Sequence, residues 1–82
     1  MNIDDSILKI DLDILAQFSE PRSIYAVHKH LQTTYTYAFN HTKELLSRGL
    51  LIQHSISKND KNVSRIEYIL SDKGKELLRV LV

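Results

Sequence analysis

Thr34-Tyr35-Thr36-Tyr37-Ala38-Phe39-Asn40-His41-Thr42-Lys43-Glu44-Leu45-Leu46-Ser47-Arg48-Gly49-Leu50-Leu51 is the stretch from which the rest of the chain is read. Thr34 is placed to cap free backbone N–H groups, and Gly49 follows the last residue of a helical pattern, so a helix is predicted from Tyr35 to about Arg48. Set at about 100° per residue, Tyr35, Ala38, Phe39, Thr42, Leu45, Leu46 and Gly49 share one side, which is expected to pack inward. The opposite side carries Thr36, Tyr37, Asn40, Lys43, Glu44 and Ser47, with His41 and Arg48 at one edge.

Upstream, Ser19-Glu20-Pro21-Arg22 breaks the pattern, and Ser23 can cap a second helix in which Ile24, Val27 and Leu31 recur at spacings of three and four. The connection Gln32-Thr33-Thr34 is short, so the second and third helices are expected to cross steeply. A first helix reads from Ile10 to Phe18, with Asp11 as cap, Asp13 at the positive end of the dipole, and Ile10 and Leu15 placed as a hydrophobic staple. Its start is open, because Ser6-Ile7-Leu8 can also begin it and the alternation Ile10, Leu12, Ile14 permits a short strand.

Beyond Gly49 the texture changes. Leu50–Ser57 and Arg65–Leu70 are short and rich in β-branched and apolar residues, which predicts two strands of a hairpin. The polar run Lys58–Ser64 between them is expected to project into solvent. Ser71 and Asp72 open a last helix, Lys73 to about Leu81, with Leu77, Leu78 and Leu81 as a stripe. Helix, helix, helix, hairpin, helix is the order of an α+β winged helix-turn-helix.

Two runs carry a family resemblance: Ala38 to Leu51 as quoted, and Tyr68-Ile69-Leu70-Ser71-Asp72-Lys73-Gly74-Lys75-Glu76-Leu77-Leu78. Over residues 12–80 the chain resembles the MarR-like and PadR-like winged-helix regulators, including small archaeal members. The resemblance implies that Tyr35 to Arg48 is the recognition helix, with Ala38, Thr42 and Leu45 as its inner face, and that Lys58 to Ser64 is the wing tip. It also implies transcription regulation. The chain is shorter than typical MarR-like proteins and lacks their long dimerisation helices.

The bulk numbers agree with one small folded domain over residues 1–82, residues 1–10 being an extension available for dimer contact. The sequence is 43% hydrophobic and 26% charged with two Gly and one Pro, a folded rather than a disordered composition. It has no Cys, which excludes disulfides and Cys-ligated zinc, so packing must hold the core. No apolar run approaches the ~20 residues that span a bilayer, and the acidic start Met1-Asn2-Ile3-Asp4-Asp5 is unlike a signal peptide; a cytoplasmic, nucleoid-associated protein is expected.

The overall charge of +1 conceals an asymmetry. Residues 1–20 hold Asp4, Asp5, Asp11, Asp13 and Glu20 against Lys9 alone, a net −4. Residues 22–65 hold Arg22, Lys29, Lys43, Arg48, Lys58, Lys61 and Arg65 against Glu44 and Asp60, a net +5. One electropositive side is what a phosphate-binding surface requires, although ordinary surface scatter gives similar counts.

The outer side of the third helix is therefore the candidate reader of a DNA major groove. Asn40 is the best choice for a base, since its amide can engage adenine at two points, whereas Thr34, Thr36, Tyr37 and Lys43 suit phosphate or a thymine methyl. His41 lies at the edge of the same surface, and Glu44 counts against contact. Lys58, Lys61 and Arg65 would let the wing, 58–65, reach backbone or minor groove, and Arg22 and Ser23 could add phosphate contacts at the start of the second helix. The plainer reading is a solvated helix face and a charged tip that keeps the protein soluble.

Four His do not make a metal site: His28 and His30 diverge on one helix, and His41 and His54 lie on different elements. No Gly-rich phosphate loop, nucleophile elbow or carboxylate pair points to catalysis, so neither enzyme activity nor a cofactor or metal is expected. The apolar end of the chain, with Leu78, Leu81 and Val82, together with Ile3, Ile7 and Leu8, exceeds what one core can use. Pairing of two copies through the first and last helices would cover it and set two recognition helices about one DNA turn apart. The expectation is a homodimer binding double-stranded DNA. A winged helix serving as a protein-interaction module, or a sequence-neutral architectural protein, is the alternative.

Overall fold

Asp11 accepts hydrogen bonds at Oδ1 from the backbone N–H of Asp13 (2.9 Å) and Ile14 (3.2 Å), which starts helix α1, Leu12–Gln17. The structure, a computed structural model, describes residues 11–58 and 60–81. Ile10, and with it the predicted staple, lies outside them, as do Ile3, Ile7, Leu8 and Val82.

A two-residue strand β1, Arg22–Ser23, leads directly into α2, Ile24–Leu31. The Ser23 hydroxyl accepts from Ala26 N (3.1 Å), and Gln32 ends the helix in the left-handed region at φ 58°. Helix α3, Tyr35–Ser47, is capped by Thr34, whose hydroxyl oxygen accepts from Tyr37 N at 3.1 Å. It ends in a Schellman turn: Gly49, at φ 73°, donates to the Leu46 carbonyl, and Leu50 N donates to that of Leu45, each at 3.0 Å. That reversal turns the chain into the hairpin β2, Leu51–Lys58, and β3, Ser64–Leu70, followed by α4, Asp72–Leu81.

The expected hairpin is present, but the sheet has three antiparallel strands in the order β1-β3-β2. Arg22 pairs with Tyr68 and Ser23 with Glu67, which ties the start of α2 to the wing. A strand of two residues after Pro21 is too short for any periodicity to announce it. Between β2 and β3 the register runs from Leu51↔Leu70 to Lys58↔Ser64 and shifts between Gln53 and Ser55, where His54 is the extra residue of a bulge. Since Lys58 and Ser64 are themselves paired, the wing tip is narrower than the run Lys58–Ser64 read from composition.

Ile14, Leu15 and Phe18 of α1 meet Ile24 and Val27 of α2, Ala38 and Leu45 of α3, and Leu50, Leu51 and Leu70 at the root of the hairpin. Each of these Ile, Leu, Val and Phe side chains, when fully buried, stabilises the fold by about 1.5–3 kcal/mol. Backbone bonds from Leu70 N to the Phe18 carbonyl and from Ser71 N to the Leu50 carbonyl, both 2.9 Å, fasten the sheet to α1 and to the end of α3. Ala38, Thr42 and Leu45 do form the buried face of α3, whereas Tyr35 and Phe39, expected to pack inward with them, are 47% and 39% exposed. Both lie where α3 borders the gap left by α2 and β3. On α4, Leu77 and Leu78 pack against the core, while Leu81 and Val80 face solvent. Among the described residues no helix is long and apolar enough to cross a membrane.

Candidate nucleic-acid interface

Helix α3 presents three different strips to its surroundings. The outermost holds Thr36, Asn40, Lys43 and Ser47, all exposed. Ser47 donates its hydroxyl to the Glu44 carbonyl at 2.8 Å, whereas the Asn40 amide has no hydrogen-bond partner among the described residues. Two donors and an acceptor there remain available to a base edge. Glu44, whose carboxylate would repel phosphate, is paired with Arg48 at 2.6 Å one turn on, so the two charges offset one another.

The strip that faces α1 is already occupied. The Tyr37 hydroxyl donates to Asp11 Oδ2 at 2.5 Å, and its ring lies 4.3 Å, centroid to centroid, from that of His41. Burial pushes the Asp11 carboxyl upward, but the bonds from Tyr37 and from Ile14 and Asp13 N–H outweigh it and hold the group below its ordinary value. The same bond raises Tyr37, because its hydroxyl must stay protonated to donate. Tyr37, expected on the outer face, is 41% exposed there and also bridges α3 to Asp11 at the start of α1.

The third strip faces α2 and the hairpin. Tyr25, Tyr35, Phe39, Lys43 and Arg65 line a groove of 390 Å³, with Ile66 and Tyr68 along its sheet side. Arg65, expected to help the wing reach DNA, has its guanidinium carbon 3.9 Å from the centre of the Tyr25 ring, over the start of α2. No carboxylate pairs with it among the described residues. Sequence reading missed Tyr25, Tyr35 and Phe39 as surface residues; the signal was the pair of large rings four apart on α3, which a wheel assigns inward when the neighbouring helix is assumed to cover it.

Of the other predicted contacts, Lys58 is exposed at the end of β2 and Lys61 is exposed in the loop. Arg22 is half-buried in β1, its Nε enclosed and without a partner among the described residues. Ser23 is 7% exposed; its hydroxyl accepts from Ala26 N to cap α2, and the residue lines the groove that Lys43 and Arg65 share. Thr34 likewise caps α3 but stays exposed. Away from this surface, Leu78 lines a shallow apolar depression of 520 Å³ with Ala16, Ser19 and Leu70, bordered by Lys75 and Arg79.

Compared with known protein families and with curated proteins, the chain matches none. Solved structures do share its fold. A possible transcriptional regulator from Methanosarcina mazei Go1 superposes with a TM-score of 0.68 at 17% identity, covering 99% of this chain and 77% of the other. A PadR-like transcriptional regulator from Bacillus cereus gives 0.72 at 16% identity, over 94% and 82%. A mutant of MepR from S. aureus bound to an oligodeoxyribonucleotide gives 0.64 at 15% identity; there the match covers 93% of this chain but 59% of that one. The fold is thus that of winged-helix transcriptional regulators of the MarR and PadR kind.

Proposed function

We propose that this chain is a sequence-specific double-stranded DNA-binding protein that regulates transcription, with α3 in the major groove, the hairpin on the backbone or in the minor groove, and two copies acting as a homodimer. The observation that carries the reading is the outer strip of α3, where, among the described residues, Asn40 has no hydrogen-bond partner and Lys43 beside it pairs with no carboxylate, with Arg65 of the hairpin lining the same groove as Lys43. An amide beside a lysine can read a base edge while its neighbour holds phosphate. The regulators that share the fold, one of them described with an oligodeoxyribonucleotide bound, support the same use of it. No catalytic role, cofactor or metal enters this reading, and it places the protein with DNA in the cytoplasm. Pairing through the α1 and α4 side would cover Leu78, Leu81 and the apolar depression between those helices.

Selection of bound duplexes from a random pool at two salt concentrations tests it. The expected result is an inverted repeat whose binding weakens with salt and whose preference is lost in Asn40→Ala. Absence of binding even at low salt overturns it.

A further inference from the structure

A run of rings closed by a cation at each end passes along the groove between α3 and the hairpin, with Tyr25, Tyr35 and Phe39 in its lining and His28 of α2 linking Tyr25 to Tyr35. Arg65 lies over Tyr25 at 3.9 Å; Tyr25 meets His28 edge-on at 5.2 Å; His28 meets Tyr35 edge-on at 5.6 Å. Tyr35 stacks on Phe39 with centroids 6.1 Å apart and planes 24° from parallel, and Lys43 Nζ sits 5.6 Å from the centre of the Phe39 ring. Among the described residues no Asp or Glu lines the groove. Tyr25, Tyr35 and Phe39 keep between 39% and 47% of their surface exposed, an unusual amount for three rings in one patch of so small a domain.

We infer that this groove seats one strand of the DNA duplex, with Tyr35 and Phe39 reading the C5-methyl groups of thymines while Arg65 and Lys43 hold phosphates on either side. The inference rests on the DNA-binding reading above and deepens it by naming the base feature recognised. Charge decides the occupant: a ring-lined floor with a cation at each end and, among the described residues, no carboxylate matches a strand whose phosphates flank the groove-facing edges of its bases. The chemistry of the floor decides the base. An aromatic ring offers a base edge no hydrogen bond at its face, and the thymine methyl is the apolar group that the major groove displays. Tyr35 and Phe39 also stand one helical turn apart, each next in sequence to Thr36 or Asn40, which sets the methyl contact beside the amide readout on one helix. Stacking on Tyr25 leaves the in-plane N–H donors of Arg65 turned outward in a fixed orientation, which suits a phosphate oxygen.

The experiment replaces thymine by uracil, one position at a time, in the duplex that selection favours, since uracil lacks the methyl group alone. Wild-type protein should lose about fourfold in affinity at one or two positions of each half-site, which is ~0.8 kcal/mol at 1.4 kcal/mol per tenfold. Phe39→Ala and, as an independent variant, Tyr35→Leu should bind the thymine and uracil duplexes alike at those positions while keeping the wild-type circular dichroism. Equal wild-type affinity for every uracil duplex overturns the inference and leaves DNA binding intact. An undiminished uracil penalty in both variants overturns the assignment to these rings. If no duplex is bound at all, the DNA reading fails and this inference with it.

Discussion

The carbonyl oxygen of Leu50 stands 2.1 Å from the place a Cβ on residue 74 would occupy, so the first turn of α4 rests directly on the backbone that follows helix α3. Ser71 fixes the approach: its hydroxyl donates to the Gly49 carbonyl at 2.6 Å and accepts from Gly74 N at 3.0 Å. Gly74→Ala therefore cannot be absorbed by a side-chain rotation, and α4 must lift away. Helix propensity would return about 1 kcal/mol to alanine, less than the cost of displacing packed backbone, so a net loss of about 2 kcal/mol is expected. Thermal unfolding measures it as a fall of roughly 8–16 °C. An unchanged midpoint would show that α4 does not sit against Leu50.

Thr42 lies at the opposite extreme of tolerance. It is fully buried between Ala38 and Leu45 on the inner face of α3, and its hydroxyl oxygen has no hydrogen-bond partner among the described residues. Thr42→Val keeps the shape and removes an unsatisfied polar atom, which should stabilise the domain by about 1 kcal/mol. Urea unfolding should show a higher midpoint with an unchanged slope. A lower midpoint would mean that the hydroxyl does have a partner.

These two positions also show what the sequence could and could not convey. The caps Asp11, Ser23 and Thr34, the stop at Gly49 and the β-branched, apolar texture of the hairpin strands are local signals, and each produced its element where expected. Strand β1 was invisible because its pairing is with Tyr68 and Glu67, more than forty residues away. Tyr37 and Arg65 were assigned to surfaces by helical angle and strand position alone, yet Tyr37 is directed by Asp11 and Arg65 by Tyr25. The exposure of Tyr35 and Phe39 depends on how far α2 and the hairpin stand from α3, which no pattern within α3 encodes.

The Tyr37–Asp11 bond predicts opposite behaviour at the two ends of the pH scale. Asp11 is lowered by the fold, so its contribution to stability is complete above its ordinary value of 3.8 and is lost as pH falls through the lowered one. Tyr37 is raised, so its contribution is complete below 10.0 and is lost as pH rises through the raised value. Tyr37→Phe should flatten both limbs of a plot of unfolding midpoint against pH. Tyrosine absorbance should also lose its most alkaline component in that variant. Identical profiles for the two proteins would show that the bond does not form in solution.

Arg65 and Asn40 should fail in different ways if the proposed DNA binding is right. Asn40 has a free amide and no charge, so Asn40→Ala should cost about 1–3 kcal/mol on the preferred duplex, little on others, and leave the salt dependence unchanged. Arg65 carries its charge on a guanidinium held over Tyr25, so Arg65→Gln should weaken binding to all duplexes and reduce the slope of log affinity against log salt by about 1. Tyr25→Leu separates position from charge: the cation remains but its platform is gone, and an affinity between wild type and Arg65→Gln is expected. Titrations at three salt concentrations with the preferred and a scrambled duplex give all of these quantities. If Arg65→Gln changed preference without changing the slope, Arg65 would be reading a base and the phosphate role assigned to it would fall.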